Sequence, residues 1–116
     1  MTIDHEALAS HQIIEITTFG RRTGEPRRIE IWWFRVDDRF VITGTPGRRD
    51  WLANLASDPR LIVHVDGLDL EATATLVDDV AFRRRVFTSP LTSWYASQAE
   101  LDHLVATAPM VEIRIA

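Results

Sequence analysis

The chain has 116 residues, 46% of them apolar and 26% charged, with a net charge of −4 and no cysteine. That length suits a single domain with its own core, and the missing cysteines exclude disulfides, thiolate metal sites and cysteine nucleophiles. The acidic start lacks the apolar core of a signal peptide and no apolar run approaches the ~20 residues of a membrane span, so one soluble, cytoplasmic domain over residues 1–116 is expected.

The charge is unevenly spread. From Gly20 to Asp50 there are eight arginines against five acids, a local +3 in a chain whose total is −4. A small basic patch on an acidic protein suits a compact anionic ligand and argues against a nucleic-acid partner. All thirteen basic residues are arginine, whose planar fork matches phosphate and carboxylate groups. The composition of a GC-rich genome accounts for the same bias.

Taken in chain order, residues 4–11 suggest a short leading helix, and Gln12 to Phe19, rich in Ile and Thr, a first strand. Gly20, Gly24 and Pro26 make a loop. From Arg27 to Val36 the side chains alternate: Ile29, Ile31 and Trp33 share one face, Trp32, Phe34 and Val36 the other. Asp37-Asp38 turns this strand into a partner, Arg39 to Gly44. Large aromatics on both faces require that each be covered, one by the barrel interior and the other by a helix, a second subunit or a ligand.

Thr45, Pro46 and Gly47 break the strand, and Arg48 to Ser57 reads as a helix with Trp51, Leu52 and Leu55 on its apolar side. Leu61–Val65 and Leu68–Val77 flank Asp66-Gly67, the strongest hairpin signal in the chain. Asp79 to Thr88 is expected to be helical, with Arg83, Arg84 and Arg85 as a solvated face. Ser97 to Glu100 has the form of a capping box before Leu101, Leu104 and Val105, and Val111, Ile113 and Ile115 alternate as a last strand. The order predicts an α+β fold, a small six-stranded antiparallel barrel with short helices.

The stretch that bears on chemistry runs from Gly20 to Trp51. Its first part sets guanidinium groups beside a glycine loop. Its second part is a strand, a glycine-bearing turn and a helix start, where free N–H groups and the helix dipole favour an anion. Neither part matches a P-loop or a dinucleotide fingerprint. The alternative is that the arginines are solvated turn residues. The four histidines are scattered without ligand spacing, so no metal is expected, and His64 reads as a satisfied barrel residue. No nucleophile–base–acid set stands out, and no catalytic side chain is assigned.

The string ITTFGRRTGEPRRIEIWWFRVDDRFVITGTPGRRDWLANLASDPRLIVHVDG resembles the deazaflavin-dependent nitroreductase family, a branch of the split-barrel flavin-binding proteins that include pyridoxamine phosphate oxidase. The matching features are the T-T-x-G-R-x-T-G-x-x-R start, the hairpin after it, the W-x-x-N-L helix and the D-P-R-x-x-V strand entry. The resemblance implies a split β-barrel binding coenzyme F-420, or FMN in related groups. It places Arg22, Thr23 and Arg27 at the cofactor's phosphate or acidic tail. Thr43, Gly44, Thr45 and Arg48 fall on a phosphate-facing turn, Ile31 and Trp32 along the ring system, and Trp94 and Tyr95 on the substrate side. Two departures stand out: Glu30 occupies a position where the family often has proline, and the turn before Trp51 is shorter than its usual glycine-rich loop.

The implied activity is hydride transfer from the reduced cofactor to a small conjugated acceptor such as a quinone, enone or nitroaromatic. An FMN-dependent oxidoreductase, or a flavin- or deazaflavin-binding protein without catalysis, is the alternative. Split barrels commonly pair, so a homodimer is expected.

Overall fold

The computed structural model describes residues 4–116. Helix α1 (His5–Ala9) begins at Asp4, whose carboxylate accepts from the N–H groups of Glu6 and Ala7, and it drops Leu8 into the core. Strand β1 (Ile13–Phe19) follows, then β2 (Pro26–Trp32), β3 (Phe34–Val36) and β4 (Arg39–Thr43). After α2 (Asp50–Ser57) come β5 (Arg60–Val65) and β6 (Leu68–Leu76). Helices α3 (Val80–Thr88), α4 (Ser93–Ala96) and α5 (Leu101–Thr107) lead to β7 (Met110–Ile115). All pairings are antiparallel, in the order β2-β1-β5-β6-β7-β4-β3.

The described residues form seven strands where the sequence led us to expect six. Trp33 makes the difference. Its backbone N–H donates to the carbonyl of Gln12 at 3.0 Å and its indole N–H to that of His11 at 2.7 Å. The residues before it pair with β1 and those after it with β4. The stretch from Arg27 to Val36 therefore changes partner midway and supplies both edges of the sheet, which curls so that they approach each other. The expected hairpin survives only as β3–β4. Its turn holds Asp37 and Asp38 at φ of 50° and 62°, the left-handed pair that suits a two-residue hairpin. Asp66 and Gly67 do the same between β5 and β6, at φ of 51° and 73°.

The alternation read from the sequence holds across the break. Inside the curl, Trp33 stacks on Phe40 with centroids 4.2 Å apart, among Ile14, Ile16, Ile42, Leu61 and Val63. Outside it, Phe34, Val36 and Val41 pack on Phe82, Val86, Leu104 and Val105 of α3 and α5. Each fully buried side chain of this size contributes roughly 1.5–3 kcal/mol. On this second face the helices cover Phe34 and Val36 and leave Trp32 partly exposed.

Two local expectations are corrected. Arg83 is not solvated: only 8% exposed, it donates to the carbonyls of Val105, Ala108 and Val77 at 2.6, 2.5 and 2.9 Å. The end of α5 leaves carbonyls without helical partners, and the guanidinium supplies donors for them. Ser97 does not cap α5, which starts at Glu100 without a side-chain cap; its hydroxyl donates to the carbonyl of Trp94 at 2.5 Å, closing α4 instead. His64, read as a satisfied residue, bonds Thr17 through Nε2 at 2.7 Å and Asp69 through Nδ1 at 2.6 Å. Among the described residues no helix is long and apolar enough to cross a membrane.

Candidate functional site

The loop between β1 and β2 is closed by its own backbone. Gly20 N–H donates to Glu25 O and Gly24 N–H to Gly20 O, both at 2.8 Å, while Thr23 Oγ1 accepts from Glu25 N–H at 3.2 Å. Gly24 sits at φ 71°, where a Cβ is disfavoured. The loop is then tied to α2. Asn54 Oδ1 accepts from the Arg21 backbone N–H and from its guanidinium at 3.2 and 3.4 Å. Asn54 Nδ2 donates to Thr18 Oγ1 at 3.3 Å. Asp50 stands 3.8 Å from the Arg21 guanidinium.

Between loop and helix opens a cleft of about 500 Å³. Its apolar surface comes from Ile29 and Trp51, its polar floor from Thr18 and Asn54, and its rim from Arg21, Arg22, Thr23, Arg27 and Asp50. Three guanidinium groups thus face one carboxylate. Among the described residues the side chains of Arg22, Arg27 and Arg48 have no hydrogen bond or ion pair. Every other arginine is engaged by a carboxylate, carbonyl or hydroxyl.

The turn after β4 lies outside this cleft. Thr43 is buried, its hydroxyl donating to Pro109 O at 2.6 Å, and Gly44 is buried beside it. Thr45 receives Arg49 Nη2 on its carbonyl at 2.9 Å and on its hydroxyl at 3.1 Å. Arg48 is exposed. Of the residues picked out from the sequence, the cleft brings together Arg22, Thr23 and Arg27. It does not include Ile31, Trp32, Thr43, Gly44, Thr45 or Arg48.

Ile31 and Trp32 point to opposite faces, as neighbours on a strand must. Ile31 packs against the inner core. Trp32 lies outside, 39% exposed, with its ring 6.5 Å from Trp94 in an edge-on arrangement. Trp94 is 54% exposed and Tyr95 only 7%. Tyr95 is wedged edge-on against Phe34 and Phe87, at 5.8 and 6.4 Å. Burial raises its phenol above the ordinary tyrosine value, while the positive charge of Arg49 acts in the opposite direction. The two aromatics therefore divide: Trp94 presents a surface and Tyr95 supports it from beneath.

Sequence reasoning passed over Arg21, Thr18, Trp51 and Asn54 as lining residues. The spacing of Trp51 and Asn54, three apart on a helix and so on one face, was the available signal.

The chain matches the model of the F420H(2)-dependent quinone reductase family over residues 5–115. None of the curated proteins matches it. Among solved structures, an F420-H2 dependent reductase superposes with a TM-score of 0.66 at 16% identity, covering 90% of this chain and 95% of that one. A putative pyridoxamine 5'-phosphate oxidase from Listeria innocua gives a TM-score of 0.69 at 12% identity, covering 95% and 88%. A protein described as a domain-swapped dimer gives 0.66 at 16% identity, covering 90% and 81%. At these identities the likeness is one of fold, and the curled antiparallel sheet with short helices is of the split-barrel class.

Proposed function

Because the chain belongs to the F420H(2)-dependent quinone reductase family, whose cofactor is coenzyme F-420, we propose that its arginine-lined cleft holds the anionic part of that cofactor and that its acceptor is a quinone or a similarly conjugated small molecule. The observation that carries the reading is the set of free cations. Arg22 and Arg27 stand on the rim of the cleft without a carboxylate of their own, and Arg48 stands free on the neighbouring turn. All three are exposed and free to turn toward a ligand, and a phosphate or carboxylate would take them in charge-assisted bonds. The residues present fit the group: cations at the rim, Thr18 and Asn54 as polar floor, Ile29 and Trp51 as apolar surface.

When bound, the reduced cofactor supplies the hydride. The protein's share is orientation and exclusion of water. Arg22, Thr23 and Arg27 anchor the charged end, with Arg48 reaching toward it from the turn before α2. Ile31, on the face of β2 that also carries Arg27 and Ile29, borders the ring, while Trp32 and Trp94, backed by Tyr95, shape the acceptor side across that edge strand. No side chain need act as nucleophile.

We further infer a homodimer of one-domain subunits. Ile13, paired with Trp32 across β1–β2, is 55% exposed, apolar surface that a second copy would cover with Trp32 and Trp94 at its margin. Sedimentation at twice the 13.3 kDa chain mass is the expected result. A cytoplasmic location fits the cysteine-free composition.

The deciding experiment titrates the protein with coenzyme F-420 and, separately, with FMN, following quenching of its four tryptophans. Saturable binding of F-420, followed by oxidation of the reduced form when a quinone is added, supports the proposal. Preference for FMN moves the chain to a flavin-dependent reaction on the same barrel, and binding without turnover makes it a carrier.

A further inference from the structure

Two arginines stand side by side in the turn between β4 and α2 and behave differently. Arg48 is exposed and, among the described residues, without a side-chain partner. Arg49 is folded back across the turn that carries it. Its Nη2 donates to Thr45 O and Thr45 Oγ1 at 2.9 and 3.1 Å, and its Nη1 to Arg48 O at 3.0 Å. The guanidinium lies where side chains are missing. A Cβ on Gly47 would come within 3.0 Å of Nη1, and one on Gly44 within 3.4 Å of Nη2. No carboxylate pairs with Arg49 among the described residues, so its charge is held in place by neutral acceptors alone. One planar fork thus ties both ends of the turn together in a fixed geometry, which a point-like ammonium reproduces only in part.

We propose that Arg49 is a positioning residue for the cofactor: it braces the Thr45–Arg48 turn from within and so fixes where Arg48 stands toward the cofactor's anionic end. This rests on the reading of the site given above. The turn has no regular hydrogen-bond ladder, and Thr45 and Arg48 meet through the Arg49 guanidinium. Removing it leaves the turn to sample many conformations, and ordering it again on binding lowers affinity.

The test measures F-420 affinity by tryptophan quenching for wild type, Arg48→Ala, Arg49→Ala, Arg49→Lys and the double alanine variant, with thermal unfolding recorded for each. Arg49→Ala is expected to weaken binding about ten-fold, and Arg49→Lys to recover only part of that. Because Arg49 acts through the turn that presents Arg48, the two alanine effects are expected to be less than additive, which a general loss of stability would not produce. If Arg49→Ala does not fold, Arg49→Lys carries the test, and wild-type affinity in it overturns the inference. Equal affinity in Arg49→Ala and wild type, or strictly additive losses, also overturns it while leaving the function intact. No saturable binding by the wild type overturns the function and this inference with it.

Discussion

Asn54 Oδ1 takes two hydrogen bonds from Arg21, one from the backbone at 3.2 Å and one from the guanidinium at 3.4 Å, and so joins residues 33 apart in the chain. Its Nδ2 reaches back to Thr18 at the end of β1. A buried side chain on α2 thereby sets the distance between the helix and the arginine loop, and with it the width of the cleft.

Asn54→Leu keeps much of the volume and removes all three bonds. It leaves the buried Thr18 hydroxyl and the Arg21 N–H without these partners, at about 1–3 kcal/mol per unsatisfied group. A lowered urea midpoint with an unchanged slope, accompanied by weaker F-420 binding, is the expected outcome. Full stability would show that the clasp adds nothing beyond what water supplies.

Arg22→Ala and Arg27→Ala should behave in the opposite way. Neither side chain has a partner among the described residues, so stability should stay within about 0.5 kcal/mol of wild type. Each charge-assisted contact to an anion contributes about 1.5–3 kcal/mol, so F-420 affinity should fall roughly 10- to 100-fold. The losses should shrink at high salt, because these are rim charges. Fluorescence titrations at two ionic strengths check both points.

How far the sequence reveals this protein depends on the range of the interaction concerned. The alternation from Arg27 to Val36 was legible because side-chain direction is a local property of the strand. The change of partner at Trp33 was not, because alternation assigns faces and leaves neighbours open. The Ser97–Glu100 pattern pointed to a cap, but the short helix α4 ends on Ser97 and takes its hydroxyl. In the cleft, Arg22 and Arg27 could be picked out from their glycine loop. Arg21, Thr18 and Asn54 became lining residues only through a contact across α2 and β1. The burial of Arg83 was hidden for the same reason, its acceptors at Val105 and Ala108 lying far along the chain.

Arg83→Met tests that last point. The variant keeps an apolar stem but leaves the carbonyls of Val77, Val105 and Ala108 without their donor. Losing three hydrogen bonds from a charged group, at about 1.5–3 kcal/mol each, should lower stability by a few kcal/mol, the gross loss being offset by the desolvation that the buried guanidinium no longer suffers. Calorimetry should show a clear fall in Tm. The solvent-facing Arg84→Met should change little, since its Asp102 partner is exposed. Equal effects at the two positions would contradict the buried clamp.

Tyr95 offers a pH readout free of overlap, because it is the only tyrosine in the chain. Burial disfavours the phenolate, so the folded protein holds the phenol proton to higher pH than the usual value of 10.0. Above pH 10 the unfolded chain loses this proton while the folded one keeps it, so stability contributed by the neutral phenol is complete below pH 10. It is lost as pH rises through the higher folded value. Absorbance titration should show phenolate appearing late, together with loss of the fold. A phenolate that forms at pH 10 in an intact fold would place Tyr95 in contact with water and remove it as the support beneath Trp94.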